Sequence, residues 1–382
     1  MDFASMRIID SIPTLESGSE EELSDFETVL EGKLRNLYRE KQSKKGFKLN
    51  RGNKVKCRLY CSDLLFSRTY CQKTKGTNLM TEIKKIIWAT DGSKESEEAL
   101  RYAKFFAQRF NSEIIGIHII PMNQRLLYDY YRDPESNRYR WVEKAEEDYM
   151  IKLVSIAHEL TAEGINFRGR VLRGEPTKSI VEFARSEKAN LIVMGKRGIG
   201  LKDRLLIGST TLRVLRESSV PVLAVKKRDK EGAVDIRSIL VPLDIDEKLD
   251  SALNYAIDLT EKINASISVV YVLRLDIYDY GVPSNIIESL ERLSSNELEK
   301  RIEEIELKRG TQKKEVTELK INAEMIQRIN PSVAIADYAS DKNIDLIVTN
   351  THGRKGIRRL ILGSVAEKII QESTCAVLVL KP

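Results

Sequence analysis

Two stretches of the chain carry residue types whose spacing suits the binding of phosphate. In "GKRGIGLKDRLLIGST", Gly195 and Gly198 are separated by two residues, and nine more pass before Gly208 and Ser209. In "NTHGRKGIRRLILGSV" the same spacing returns at Asn350, Gly353, Gly363 and Ser364. Glycines let the main chain approach a ligand closely and adopt positive φ. A Gly-Ser pair at the start of a helix offers free N–H groups and the positive end of the helix dipole, a natural seat for phosphate. Ser209 is expected both to cap that helix and to donate its hydroxyl to a phosphate oxygen. Asp91 and Asp244 each close a short apolar run, where a carboxylate can accept from ribose hydroxyls. Singly, each of these is an ordinary turn or cap residue. The duplicated set is what points to a ligand.

The duplication extends far beyond the glycines. "RGEPTKSIVEFARSEKANLIVMGKRG" from Arg173 aligns with "RINPSVAIADYASDKNIDLIVTNTHG" from Arg328 at an offset of 155, and "IIWATDGS" from Ile86 aligns with "ILVPLDID" from Ile239 at 153. Two copies of one domain are expected, over 81–228 and 234–382, joined by "KKRDKEGAVD". Each copy alternates strand and helix signals. In the first, "IKKIIWAT", "EIIGIHII", "NFRGRVL", "LIVMG" and "PVLAVK" read as strands. Between them, Ser93 is expected to cap a helix with Ala99, Ala103, Phe106, Ala107 and Phe110 on its apolar face. Further helices are expected near 141–163, over "TKSIVEFARSEK" and from Ser209 onward. Strands separated by helices imply right-handed crossovers and a parallel sheet covered on both faces. The expected fold is therefore α/β: two doubly wound, five-stranded parallel sheets in tandem. Such sheets bind ligands at the carboxyl ends of their strands, where the strand order reverses.

The 382 residues are 42% hydrophobic and 31% charged, the balance of a globular protein that stays in water. No apolar run reaches the roughly 18 residues of a membrane helix, and "MDFASMRIIDSIPTLESGSEEE" does not read as a secretory signal. A reducing cytoplasm is the simplest compartment for four cysteines with no disulfide framework. Cys57, Cys61 and Cys71 lack CxxC spacing, and no metal site is expected. The net charge of +6 comes from residues 31–80, where only Glu31, Glu40 and Asp63 oppose many Lys and Arg. That excess reads as a solvated, poorly ordered arm rather than a nucleic-acid face. Residues 1–79 form an N-terminal extension without core rhythm, with an over-extended reading frame as the other explanation. A chain starting at Met80 is expected to melt within a few degrees of the full chain. His118 and His352 are too isolated for a catalytic dyad or a metal pair and read as core-packing or loop residues. The tyrosines of "YDYYRDPESNRYRW" are expected to pack as a lid rather than stack on single-stranded RNA.

The pattern G-x2-G-x9-G-S, with an Asp at the end of strand one, resembles the universal stress protein family. "THGRKGIRRLILGSVAEKII" is very similar to that family's usual wording. The resemblance covers both repeats. It implies a Rossmann-like fold of the adenine nucleotide α hydrolase type, with ATP as ligand, with or without Mg2+. It also implies pairing between the final strands of two domains, here "PVLAVK" and "CAVLVLK" of one chain. A homodimer and an unidentified protein partner stay open. In repeat one the implied nucleotide contacts are Ala89, Asp91, Ile114 (through its backbone, on adenine), Met194, Gly195, Arg197, Gly198, Gly208, Ser209, Thr210 and Thr211. In repeat two they are Pro242, Asp244, Ile267, Thr349, Asn350, His352, Gly353, Gly363, Ser364, Val365 and Ala366. Asn350 departs from the pattern. Asn tolerates positive φ, so the turn is expected to survive while the side chain obstructs a nucleotide and weakens the second site. The implied role is a nucleotide-dependent regulator of the stress response rather than a fast enzyme. The chain lacks a GxxxxGK[ST] loop and an evident acidic pair with Lys for magnesium. Slow ATP hydrolysis or self-phosphorylation, and a scaffold that dimerises without nucleotide, are the alternatives.

Overall fold

The computed structural model describes residues 82–132, 139–198, 207–228, 232–244, 251–274, 284–310, 321–351 and 362–381. The N-terminal extension with its three cysteines, and His352 and Gly353, lie outside them. Repeat one runs β1 (Lys85–Thr90), α1 (Lys94–Phe110), β2 (Glu113–Pro121), α2 (Gln124–Arg132), α3 (Arg140–Ala162), β3 (Phe167–Gly174), α4 (Pro176–Ser186), β4 (Leu191–Gly195), α5 (Ser209–Glu217) and β5 (Val222–Val225). Repeat two runs β6 (Ser238–Leu243), α6 (Ser251–Ile263), β7 (Ser266–Arg274), α7 (Ser284–Gly310), β8 (Ile321–Arg328), α8 (Pro331–Asp341), β9 (Leu346–Asn350), α9 (Ser364–Glu372) and β10 (Ala376–Leu380).

The two five-stranded halves form one ten-stranded sheet in the order β3-β2-β1-β4-β5-β10-β9-β6-β7-β8. Strands within each half are parallel. The seam between β5 and β10 is antiparallel, with Val222 opposite Val379, Leu223 opposite Leu378 and Ala224 opposite Val377. These strands are short apolar runs because both faces are covered. Trp88, Leu223, Val225, Leu378 and Leu380 face a layer made by α1, α3, α6 and α7. Ile87, Val222, Ala224, Val377 and Val379 face a layer made by α4, α5, α8 and α9. Each layer joins residues of both repeats, so the core does not stop at the seam.

Local signals explain the helices. Ser93 caps α1, its hydroxyl accepting from the Ser96 N–H. Ala99, Ala103, Phe106 and Ala107 are buried, and Phe110 packs beside them. The chain leaves α1 through Asn111 at φ 53° and passes Lys188, beyond α4, at 54°. Repeat two does the same at Asn264 and Asn343, at 59° and 52°. These four left-handed residues recur at the offsets read from the sequence. After β2, Tyr130 and Tyr139 pack with Ile120, Met122 and Val142 on the body of the domain.

Candidate functional site

From β1 the order runs outward through β2 to β3, then resumes on the other side of β1 at β4. The crevice between the carboxyl ends of β1 and β4 is therefore the switch point of repeat one. Ala89 stands in register with Met194 there. Asp91 follows β1 and accepts from the Ser93 N–H at 3.1 Å. Across the crevice Gly195 ends β4, and Lys196, Arg197 and Gly198 lead away from it.

Three glycines of the motif serve three different needs. A Cβ on Gly195 would meet the Glu95 carbonyl carbon, the Glu95 Cβ and the Ser96 nitrogen, each at 3.0 Å. Gly195 is thus a packing requirement of the first turn of α1. A Cβ on Gly198 would collide with the Asp91 carboxylate, so the two site residues lie in direct apposition. A Cβ on Gly208 would meet Lys196 O, the Arg197 Cα and Gly198 N at 3.5–3.6 Å, ordinary contact distances. None of the described residues forbids a methyl group at Gly208.

Neither Gly195 nor Asn350 has positive φ; both are strand residues. The expectation of a left-handed turn at these positions is corrected. In repeat two, the Asn350 side chain accepts from the Ser251 hydroxyl at 2.9 Å. It tethers the first residue of α6 at the position where Gly195 lies flat against α1.

The loop is held by groups outside the motif. The buried Glu95 accepts from the Arg197 backbone N–H at 2.6 Å and from Arg197 Nε at 2.7 Å, and a further guanidinium N–H reaches the same carboxylate. Arg197 therefore forms an ion pair within the protein. The Gly208 N–H donates to Lys196 O at 2.9 Å. Gly208 itself is the N-cap residue of α5, with no side-chain cap, and Ser209 is the first helical residue. The expectation that Ser209 caps the helix is corrected: Ser209 is an exposed residue one position further on. Thr210 is half-buried. Thr211 is buried and donates to Gly195 O at 2.8 Å, so its hydroxyl ties α5 to β4.

Ile114 does not reach the crevice. It pairs with Ile86 at the amino end of the sheet and is fully buried. Parallel strands rise about 3.3 Å per residue, which puts Ile114 some three residues, or about 10 Å, below Ala89. The residue of β2 level with Thr90 is His118. Its Nδ1 lies 2.9 Å from Thr90 O, and its ring stacks on Tyr149 at 3.3 Å between centroids. Burial pushes the His118 pKa below its ordinary value, against the opposing effect of the Thr90 carbonyl. The Tyr149 hydroxyl donates to Asp91 O at 3.3 Å, closing this side of the crevice.

Repeat two is built alike, with differences at the same end. Ile267 pairs with Ile239, so it too lies at the amino end and away from the crevice. The β1–β4 ladder continues to Ala89 and Met194, whereas the β6–β9 ladder stops at Leu240 and Ile347. Pro242 follows, with no N–H to offer a ladder. Asp244 follows β6, Thr349 is buried, and Gly363 is the N-cap residue of α9. Ser364 opens the helix, Val365 is exposed and Ala366 is buried. Sequence reasoning did not single out Glu95, Lys196 or Tyr149. Glu95 carried one signal, an acidic residue in the first turn after a serine cap. Among the described residues no group of three or more His, Cys, Asp or Glu could hold a metal ion, and no helix is long and apolar enough to cross a membrane. Two open clefts, of about 650 and 490 Å³, lie by the outer strands, against Arg173 and Phe183 and against Arg328 and Val333.

Comparison with known proteins agrees with the repeat and the fold. A universal stress protein of Methanocaldococcus jannaschii is 34% identical over 149 residues, covering 39% of this chain and 85% of that protein. One of Mycolicibacterium smegmatis is 23% identical over 303 residues, covering 78% and 97%. The crystal structure of a universal stress protein from Archaeoglobus fulgidus superposes with a TM-score of 0.55 at 21% identity, covering 78% of this chain and 99% of that one. The model of the universal stress protein family matches residues 82–226 and again 235–381. The chain is a tandem member of the universal stress protein family.

Proposed function

We propose that this chain is a nucleotide-dependent regulator whose repeat one binds an adenine nucleotide, with ATP as the expected ligand. The observation that carries this reading is Gly208. It caps α5 without a side chain, and neither its φ of −60° nor its packing against the described residues calls for glycine. A ligand that needs the backbone at close range supplies the missing reason. In this reading the phosphates sit on the first N–H groups of α5 with the hydroxyl of the exposed Ser209 beside them. Asp91, pressed against Gly198, faces the ribose. His118 and Tyr149 bound the base from the side of β2. Glu95 and Arg197 hold the loop rather than the ligand. Repeat two is the weaker site, since its crevice has Asn350 tethered to Ser251 and a ladder cut short before Pro242.

The test is direct. Purified full-length protein is denatured and its released small molecules are separated by chromatography; an adenine nucleotide is expected. Titration calorimetry with ATP should give one tight site per chain. Gly208→Val should fold as the unmodified chain does and lose at least tenfold in ATP affinity. An unchanged affinity in the folded variant would place the phosphates elsewhere, and two equal sites would remove the proposed asymmetry.

A further inference from the structure

Lys196 follows Gly195 at the root of the candidate phosphate loop, yet only 2% of it is exposed. Its side chain crosses the seam into repeat two. The ammonium donates to Gln371 O at 2.7 Å and to Ser373 O at 3.2 Å, at the carboxyl end of α9. A helix end leaves its last carbonyls without intrahelical partners and carries the negative end of the dipole. The lysine supplies both the hydrogen bonds and the charge. Its main chain meanwhile fixes the loop. The Lys196 N–H donates to Val225 O at 2.6 Å, and Lys196 O accepts from the Gly208 N–H at 2.9 Å. One residue thus joins β5, the start of α5 and the end of α9.

The far end of α9 is Ser364, preceded by Gly363, the repeat-two counterpart of the phosphate seat. The helix has nine residues, so the two ends stand about 13 Å apart. Repeat two does not return the arrangement. Thr351 occupies the position of Lys196 and keeps the same backbone frame, its N–H donating to Leu380 O at 3.0 Å and its carbonyl accepting from the Gly363 N–H at 2.7 Å. A threonine side chain is too short to cross the seam. The carboxyl end of α5 is held instead by Lys381, whose Nζ lies 2.8 Å from Arg216 O. Lys381 follows β10 and belongs to neither site loop. Among the described residues the connection from a helix end to a site loop therefore runs one way, from α9 to repeat one.

We propose that Lys196 couples α9 to the repeat-one loop, so that a nucleotide on repeat two alters the affinity of repeat one. This rests on the reading of both crevices as adenine nucleotide sites. A short helix moves as a rigid piece. A buried ammonium cannot give up its acceptors without becoming an unpaired buried charge. When α9 shifts under a ligand at Ser364, Lys196 follows, and Gly195, Arg197 and the Gly208 N–H move with it. By linkage the coupling is reciprocal: nucleotide on repeat one alters repeat two by the same factor.

Two measurements on the full chain test this. The first needs no nucleotide. Amide hydrogen exchange is compared between the unmodified chain, Lys196→Met and Lys381→Met. Lys196→Met should speed exchange both at 207–212 in repeat one and at 369–375 in repeat two. Lys381→Met should speed exchange at 214–218 and leave 207–212 unchanged. Faster exchange at 207–212 alone in Lys196→Met would overturn the coupling. The second is calorimetry with ATP on four chains: unmodified, Gly363→Val, Lys196→Met and the double variant. Gly363→Val should shift the repeat-one dissociation constant by about fivefold or more where Lys196 is present, and by less than about twofold in Lys196→Met. Equal shifts in both backgrounds would overturn the proposal. If ATP gives no heat with the unmodified chain, the nucleotide reading falls, and the exchange result alone decides whether α9 and the loop are coupled. Should Lys196→Met not fold, Lys196→Arg serves in its place: its longer, forked cation must re-seat on the same carbonyls, and the shift caused by Gly363→Val should then change in size.

Discussion

At Gly195 and Asn350 the two repeats solve one packing problem in two ways. In repeat one the first turn of α1 comes so close to β4 that an added Cβ would crowd it, with Glu95 and Ser96 atoms at 3.0 Å. In repeat two the Asn350 amide accepts from the Ser251 hydroxyl of α6 instead. Gly195→Ala should therefore destabilise the fold by about 1–3 kcal/mol through overpacking, read from the urea midpoint. Asn350→Gly should lower stability by about 0.5–1.5 kcal/mol, the worth of one hydrogen bond. If Asn350→Gly left stability unchanged, the Ser251 tether would count for nothing. The spacing of the glycines was legible in the sequence, and so was the pairing of Asp91 with the loop through the fold they imply. What was not legible is why each glycine is there. The neighbour that forces Gly195 is Glu95, 100 residues earlier in the chain, and a window of local pattern holds no information about it. Ile114 went astray for a related reason. Periodicity finds a strand, but the parallel register decides which of its ends meets the crevice.

The first turn of α1 is the element on which the repeat-one site rests. Its serine cap and apolar stripe could be read directly, because 3.6-residue periodicity and capping are local effects. Its inward carboxylate could not, since a glutamate in a first turn is equally at home in solvent beside the helix dipole. Here Glu95 turns inward and holds the Arg197 backbone and guanidinium together. The same turn is fastened to β1, with Trp88 Nε1 donating to Ser96 O at 2.7 Å and the Thr90 and Ser96 hydroxyls 2.9 Å apart. Removing one partner of a buried pair leaves the other uncompensated, at a cost of about 3 kcal/mol or more. Glu95→Ala should accordingly lower the urea midpoint and also loosen the loop, so that ATP affinity falls although Glu95 touches no ligand. A variant that loses stability but binds ATP with unchanged affinity would separate the ion pair from the site.

At the scale of the whole molecule, the seam is stabilised by apolar strands and crossed by two lysines, the buried Lys196 and the half-buried Lys381. The pairing of the seam strands was expected only through the family resemblance, and Lys196 and Lys381 gave no sequence signal because their acceptors lie in the other repeat. Burial pushes the pKa of Lys196 down to about 8, and that of Lys381 likewise to about 8. The ordinary lysine value is 10.5. Between those values the native chain holds fewer protons on these residues than the unfolded chain does. Unfolding then takes up protons, and stability from this source rises with pH across the window. Other buried groups pull the opposite way. The thiol of Cys375 is pushed up to about 12 by burial, and burial raises the hydroxyls of Tyr102 and Tyr255. Those groups bind more protons in the native chain, so their contribution is lost as pH climbs. The two tyrosines are common to the unmodified chain and to Lys196→Met and cancel when the two are compared; the Cys375 thiol loses the opposing pull of the Lys196 charge in the variant but stays protonated in both native chains over the range compared. The urea midpoint of the unmodified chain should therefore gain on that of Lys196→Met from about pH 7.5 to about 9.5, below the range where exposed tyrosines titrate. The gain should come from a protonated amine that costs more to bury below pH 8 than its two carbonyl partners return. A difference between the two chains that stays flat across this range would mean that the Gln371 and Ser373 carbonyls fully offset the burial of the charge.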